Sequence, residues 1–244
     1  MPVVAIYSTK GGVGKTTFAT SLAWCSSAIS RRHTLLWDLD PSGGSAFMYA
    51  IEPRKKRAAS ALFSMDAAPA KLVRPTEFAK LDVLPADESL RALDSQLLKI
   101  GKAKRIAKLT DGLAKNYDRI ILDTPPVMNE VSAQVIRAAD LVIVPLPPSP
   151  LSHRAFDQVV GEVKGAGKKH PPILPVLSMI DMRRSLHRDA RKDHADWPAI
   201  PLASAIEQSA VRQRPVGSFD PRSPAAKAFS QLWTAIERKL AARS

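Results

Sequence analysis

The chain has 244 residues, 45% of them hydrophobic, and its 36 lysines and arginines against 23 aspartates and glutamates give a formal net charge of +13. This apolar share can fill the core of one domain, and no apolar run is long enough for a membrane span, so we expect a single domain over residues 1–244 in the cytoplasm. The single cysteine, Cys25, excludes a disulfide framework or a cluster held by several thiolates, and its position among helical apolar residues predicts a packed thiol.

The first predicted element is a buried β-strand at residues 3–7, which leads into the sequence K-G-G-V-G-K-T-T at residues 10–17. Apolar residues then recur at helical spacing, so this loop lies between a strand and a helix, as a phosphate-binding loop requires. Its glycines let backbone N–H groups approach phosphate oxygens, Lys15 supplies a charge for the β- and γ-phosphates, and the Thr16 hydroxyl suits Mg²⁺. We therefore expect a nucleotide to be bound by Lys10, Gly11, Gly12, Val13, Gly14, Lys15, Thr16 and Thr17.

Later predicted strands end in carboxylates. One ends at Asp38, with Asp40 two positions further on, and another ends at Asp123. Carboxylates beside a nucleotide can hold Mg²⁺ and orient a water molecule, although Asp38 or Asp40 can instead cap the helix that follows Gly43. Because these motifs can meet only at the carboxyl ends of parallel strands, we predict an α/β fold with a doubly wound, mostly parallel sheet and helices on both faces.

The positive charge is concentrated in three groups. The first is the run at residues 54–57, the second lies on one probable helix at three-residue spacing, and the third begins at Arg183 and Arg184. The members of the last two groups are Lys99, Lys102, Arg105 and Lys108, and then Arg183, Arg184, Arg188, Arg191 and Lys192. Any one group is typical of a solvated surface, but together they favour a polyanionic partner. Few aromatic residues accompany them, which favours contact with the backbone of a duplex.

The loop at residues 10–17 resembles the deviant Walker A box of the ParA/MinD family of ATPases, whose signature is K-G-G-x-G-K-T-[ST]. Residues 38–43 resemble the second box of that family, with Ser42 where glutamine is usual. Residues 117–126 resemble its Walker B and switch segment, and residues 214–223 resemble its closing element. The resemblance implies a P-loop NTPase fold and a Mg²⁺-dependent ATP hydrolase of weak intrinsic activity.

The resemblance also implies roles for individual residues. Lys10 and Lys15 are expected to act on phosphates as catalytic residues, with Lys10 reaching across an ATP-bound sandwich homodimer, and Asp40 is expected to position the hydrolytic water. The residues expected to act at Mg²⁺ are Thr16, Asp38 and Asp123.

The branch that the resemblance favours is the ParA-type partitioning ATPase. Its dimer is expected to bind double-stranded DNA without sequence preference, to associate with the nucleoid and not with a membrane, and to meet a ParB-like or cargo-linked adaptor that stimulates hydrolysis. Arg183 aligns with an arginine that family members use on DNA. A second such arginine is replaced by Ala205, and the candidate substitutes are Arg184, Arg188, Arg212 and Arg214.

Two alternatives stay open. A MinD-like membrane-surface regulator shares the loop but carries an amphipathic tail after its last core helix, for which this sequence offers only residues 241–244. A metabolic P-loop synthetase or kinase would need a small-molecule pocket, and it would not explain Lys10 or the basic surface. The first strand begins the chain, so we do not expect an N-terminal helix-turn-helix or sequence-specific DNA binding.

Overall fold

The computed structural model describes residues 1–52, 59–64, 69–101, 104–167 and 169–242, and the basic run predicted at residues 54–57 lies outside these ranges. The strands are β1 (Val3–Ile6), β2 (Thr34–Asp38), β3 (Arg74–Pro75), β4 (Leu81–Leu84), β5 (Arg119–Asp123), β6 (Leu141–Leu146), β7 (Ile173–Ile180) and β8 (Ala199–Pro201). They form one sheet in the order β3-β4-β2-β5-β1-β6-β7-β8. All pairs are parallel except β3 with β4.

The helices of the described residues connect these strands. They are α1 (Lys15–Ala28), α2 (Gly44–Phe47), α3 (Leu93–Ile100), α4 (Arg105–Leu113), α5 (Glu130–Ala138), α6 (Pro150–Gly165), α7 (Ser185–Asp193), α8 (Ser204–Arg212), α9 (Val216–Phe219) and α10 (Pro224–Ala241). Short 3₁₀ helices lie at Ala59–Leu62, Pro69–Lys71 and Glu88–Ala92. None of these helices is long and apolar enough to cross a membrane.

Each face of the sheet has its own hydrophobic core, because successive strand residues point to opposite faces. Val3 and Ala5 of β1 belong to the core that includes α3 to α6, whereas Val4 and Ile6 belong to the core that includes α1 and α10. Cys25 is buried in the second core, where burial raises the pKa of its thiol to about 12. The predicted doubly wound sheet and the packed thiol are therefore confirmed.

The sheet brings its predicted functional motifs to one edge. β1 lies between β5 and β6, so the chain leaves β1 in one direction for β2 and later returns to its other side. Asp38 and Asp123, the last residues of β2 and β5, are partners in register, and Ile6 at the end of β1 is a partner of Asp123. The loops that follow β1, β2 and β5 thus open at the carboxyl ends of the strands, where ligands bind in such sheets.

The basic group predicted on one helix at residues 99–108 is wrong in its single helix and at Arg105, whereas Lys99 and Lys108 are exposed as expected. α3 ends at Ile100, and Gly101 follows in a left-handed conformation with φ of 62°, so two helices replace the single one. Arg105 is buried, and its Nη2 donates a hydrogen bond of 2.6 Å to the Leu62 carbonyl oxygen. Its guanidinium therefore supports the fold instead of the surface charge, and Lys102 lies outside the described residues.

Candidate nucleotide site

The loop between β1 and α1 has the backbone of an anion cradle. Gly12 and Gly14 take positive φ angles of 71° and 94°, which favour glycine because other residues are strained there. Gly14 is also the N-cap of α1, and no side chain of the described residues caps the first turn of that helix. The first amide groups of α1 are therefore free to bind an anion at the positive end of the helix.

Lys15 places a nearly buried amine at this cradle. Lys15 is only 7% exposed, and its Nζ lies 3.5 Å from the Lys10 carbonyl oxygen. Burial lowers the pKa of Lys15, while the charges of Asp123 and Asp40 act in the opposite direction. An anion at the loop would favour the charged amine further, so Lys15 suits a phosphate oxygen.

Two fully buried carboxylates stand next to the loop. Asp38 accepts backbone N–H bonds from Asp40 at 3.0 Å and from Ser45 at 2.9 Å, so it also holds the start of α2. Asp123 Oδ2 accepts the Ser45 hydroxyl at 2.8 Å. Burial raises the pKa of both carboxyl groups, that of Asp123 to about 6, and their mutual repulsion raises that of Asp38 further. A cation here would relieve both costs.

These side chains fit a magnesium ion. Asp123 Oδ1 is buried and accepts no hydrogen bond from the residues that the structure describes. A hydrogen bond from the Thr16 hydroxyl lowers the pKa of Asp123. A Cβ on Gly44 would lie only 3.1 Å from Thr16 Cγ2, so glycine at this position lets α2 approach the threonine. Carboxylate and hydroxyl oxygens are the ligands that Mg²⁺ prefers. Asp38, with both oxygens occupied, is better placed to support the site than to bind the ion.

The sign of the Asp123 pKa shift gives a testable prediction. The folded protein holds this proton up to about pH 6, whereas an unfolded chain releases it near the ordinary aspartate pKa of 3.8. Without metal, folding is therefore favoured by this group below about pH 4, and that contribution is lost as the pH rises to about 6. Asp123→Asn should stabilise the metal-free protein by on the order of 2–3 kcal/mol above pH 7.

The advantage of the Asp123→Asn variant should vanish near pH 4 in denaturant titrations that compare both proteins across this range. The same variant should lose Mg²⁺-dependent nucleotide binding. A variant that is less stable than the wild type at pH 8 would contradict the assigned cost of the buried charge.

Asp40 lines a cavity between the second box and the segment after β5. Its Oδ1 accepts the Ser42 backbone N–H at 3.0 Å, and its residue is half-buried. A cavity of about 310 Å³ is lined by Asp40 and Ser42 on one side and by Pro125, Pro126 and Val127 on the other. This cavity gives a carboxylate room to orient a water molecule between the second box and the segment after β5.

Lys10 does not share the cradle of Lys15. Its Nζ donates hydrogen bonds to Ser152 Oγ at 3.1 Å and to Ser149 Oγ at 3.4 Å, at the start of α6. In this conformation the signature lysine is held by its own chain, and its action across a dimer stays a prediction.

Sequence reasoning missed an apolar cavity and one polar residue. The cavity, of about 380 Å³, lies against Gly14 and Thr17 of the loop and is walled by residues from β7, β8 and α8, among them Met179, Ile200, Pro201 and Ile206. Its lining suits a flat heterocycle next to bound phosphates. Met179 has a φ of 56° at an irregularity in the β7–β8 pairing, which no local pattern reveals. Ser45 was also missed, although the Gly43-Gly44 pair marks a close approach there.

The arginines predicted to bind DNA are only partly brought together. Arg183 and Arg184 lie in the turn after β7, at the same edge as the phosphate loop. The Arg183 side chain is 88% exposed, yet it forms a bidentate ion pair with Asp181, from Nε to Oδ1 at 2.8 Å and from Nη2 to Oδ2 at 2.9 Å. Arg188 Nη1 donates to the carbonyl oxygens of Met182 and Arg183.

Arg214 lies on a different segment from that turn. Its guanidinium forms a two-pronged pair with Glu77 and lies over the Phe78 ring at 5.6 Å. Arg214 is thus engaged within its own chain, as Arg183 is by Asp181, and it lies outside the turn that holds Arg183 and Arg184.

Comparison with known proteins agrees with this geometry. A family model described as an AAA domain matches residues 1–175. The chain is 27% identical over 243 residues to the sporulation initiation inhibitor protein Soj of Bacillus subtilis, with 94% of this chain and 96% of Soj covered. It is 30% identical over 247 residues to the chromosome partitioning protein ParA of Caulobacter vibrioides, with 94% and 91% covered.

A solved structure adds a ligand-bound example of the fold. Cobyrinic acid a,c-diamide synthase from Mycobacterium smegmatis, with bound ADP and magnesium, superposes with a TM-score of 0.83 at 25% identity, covering 100% of this chain and 96% of the synthase.

Proposed function

The chain belongs to the ParA/MinD family of ATPases, and from this premise we propose that it is a partitioning ATPase whose ATP-bound dimer binds DNA without sequence preference. The observation that carries the proposal is the pairing of a complete phosphate-binding loop with an exposed arginine turn at the same edge of the sheet. Nucleotide state and DNA contact can then be linked over a short distance.

ATP and Mg²⁺ are the ligands that the site fits. In this proposal the amides of residues 11–17 and the Lys15 amine bind the phosphates, while Thr16 and Asp123, supported by Asp38, hold the ion. When bound, the ion neutralises charge that develops on the phosphates. Asp40 orients a water molecule in the adjoining cavity, and the apolar cavity at Met179 receives the base. The solved synthase with ADP and magnesium supports this assignment.

Dimerisation in this proposal depends on Lys10. Among the described residues, two serine hydroxyls hold its amine, at 3.1 and 3.4 Å, and neutral hydroxyls compete weakly with a phosphate for an ammonium group. The γ-phosphate of an ATP molecule bound to a second protomer would draw Lys10 away from Ser149 and Ser152. ATP would then favour the dimer more strongly than ADP does.

DNA contact in this proposal is made by the arginine turn. Arg183 and Arg184 are exposed, and a dimer presents two copies of the turn to one duplex. The Asp181 carboxylate must share Arg183 with a phosphate or release it, which limits the affinity of a single copy. We therefore expect weak binding by the monomer and tight binding by the dimer.

Replacing both Arg183 and Arg184 by glutamate should weaken ATP-state binding to unrelated duplexes by about tenfold or more and reduce the slope of log K against log salt by up to about 4 units. The slope changes because a dimer loses four phosphate contacts. Fluorescence anisotropy at several salt concentrations measures both quantities, and ATP affinity should not change because the turn lies outside the phosphate loop.

A control variant with Arg238→Glu and Lys239→Glu makes the same change in charge at the end of α10. That end lies at the opposite edge of the sheet, where the neighbouring Glu237 pairs with Arg119 at the start of β5. Equal losses in the two variants would mean that net charge, and not this turn, determines DNA affinity.

We further propose that a ParB-like or cargo-linked adaptor stimulates hydrolysis and that the ATP-bound protein is found on the nucleoid. The named relatives support this part, since one is a chromosome partitioning protein.

A MinD-like regulator would instead bind lipid vesicles in the ATP state, and a synthetase would need a small-molecule acceptor for turnover. Vesicle sedimentation and turnover by the purified protein alone separate these outcomes.

A further inference from the structure

A partly buried network of hydroxyl and carboxylate groups joins the phosphate loop to the segment after β5. Tyr7, directly after β1, is fully buried, and its hydroxyl donates to Glu162 Oε2 at 2.5 Å and to the Val127 carbonyl oxygen at 3.0 Å. Ser132 at the start of α5 lies on the other oxygen of the same carboxylate, with 2.5 Å between its Oγ and Glu162 Oε1. The Ser132 hydroxyl also lies 2.8 Å from the Asn129 carbonyl oxygen.

The network offers fewer protons than acceptors. Tyr7 and Ser132 contribute one hydroxyl proton each, whereas two carboxylate oxygens and two backbone carbonyls lie within hydrogen-bond distance. Burial and the Glu162 carboxylate raise the pKa of Tyr7, so its hydroxyl keeps its proton. Each hydroxyl lies within hydrogen-bond distance of both Glu162 and a carbonyl of residues 127–129, so Glu162 fixes the position of the two side chains that contact this segment.

The held segment forms a wall of the cavity beside Asp40. Val127 and Asn129 line that cavity together with Asp40 and Ser42. Asn129 is also the N-cap of α5 in a capping box with Ser132. Because Glu162 contacts the Ser132 hydroxyl, it supports the same turn. A shift of this wall would change the room available to a water molecule next to Asp40.

We propose that Tyr7 and Glu162 form a positioning pair that fixes the segment at residues 127–129 against the Asp40 cavity and thereby sets the rate of the chemical step. Neither side chain lies in the phosphate loop of residues 10–17, so the pair acts through the backbone of this segment and not on the nucleotide. The kinetic part of the inference rests on the proposed ATP hydrolysis, whereas the positioning part does not.

The test compares Tyr7→Phe, Glu162→Ala, Glu162→Gln and the double variant Tyr7→Phe/Glu162→Ala with the wild type. We expect Tyr7→Phe and Glu162→Ala each to lower kcat about tenfold, the size of one hydrogen bond to a charged group, with nucleotide affinity unchanged. The double variant should lose much less than the product of the two single effects, because both single variants remove the contact between Tyr7 and Glu162. Glu162→Gln keeps an acceptor and should retain most of the wild-type kcat.

Tyr117→Phe is the matched control. Tyr117 is a partly buried tyrosine whose hydroxyl also donates to a carboxylate, Asp82 Oδ2 at 2.8 Å, but it lies at the opposite edge of the sheet, just before β5. The Tyr117→Phe change should lower thermal stability without changing kcat. If Tyr7→Phe lowers only the melting temperature, with kcat like that of Tyr117→Phe, the pair is structural and the inference is wrong.

Hydrogen–deuterium exchange gives a readout that does not need hydrolysis. Backbone amides of residues 127–132 should exchange faster in Tyr7→Phe and Glu162→Ala than in the wild type or Tyr117→Phe, in protein without nucleotide. Unchanged exchange there overturns the positioning pair even if the wild type hydrolyses no ATP. Absent hydrolysis with the expected exchange overturns the proposed function and the kinetic part of the inference together, and leaves the structural link established.

Discussion

Lys15→Ala is expected to abolish ATP-dependent behaviour, with hydrolysis reduced by more than about 100-fold. The reason is local: the Lys15 amine is nearly buried between the loop and the Asp123 and Asp40 carboxylates, and an alanine leaves those negative charges facing the phosphates. Phosphate release under Mg²⁺ and ATP, together with nucleotide binding by calorimetry, measures the loss.

The control for this variant is Lys227→Ala, which removes an exposed lysine from α10 and should leave hydrolysis unchanged. Circular dichroism melting of both variants checks that each is folded. Wild-type hydrolysis by a pure Lys15→Ala preparation would remove the phosphate loop from the proposed mechanism.

Asp40→Ala and Lys10→Ala are expected to have opposite effects on assembly. Asp40→Ala removes the carboxylate beside the 310 Å³ cavity but leaves the loop, so it should bind ATP and remain a dimer. Lys10→Ala should stay monomeric with ATP while it keeps nucleotide affinity, because the lysine contacts Ser149 and Ser152 and not the cradle of Lys15. With ATP present, size exclusion with light scattering should give a molar mass for Asp40→Ala that is twice the molar mass of Lys10→Ala.

Ser152→Ala serves as the control for this pair. It removes the closer anchor of Lys10 in its own chain, so it should dimerise with ATP at least as well as the wild type. A Lys10→Ala protein that dimerises like the wild type would show that no contact across the dimer is needed.

The sequence was most informative where local pattern and chemistry coincide. The apolar run before residue 10 and the glycines after it predict a strand, a loop and a helix, and these are β1, the loop and α1. Asp38 and Asp123 are predictable at strand ends because parallel strands bring their carboxyl ends to one edge, and the two residues are partners in register.

Long-range contacts were beyond the reach of the sequence. Arg105 has the spacing of a surface helix, but the break at Gly101 turns it into the core, where it meets a carbonyl 43 positions away. The link from Tyr7 to Glu162 spans 155 positions. Such contacts depend on how helices pack on the sheet and leave no periodic trace in the sequence.

The most direct test of a nucleotide-gated DNA-binding dimer is the affinity of the wild type for two unrelated duplexes, measured with ATP and with ADP in the presence of Mg²⁺ at several salt concentrations. We expect binding with ATP that is tight at low salt, falls steeply as salt rises and is equal for the two sequences, and much weaker binding with ADP. Binding that is equally strong with ADP, confined to one sequence or insensitive to salt would contradict the proposal.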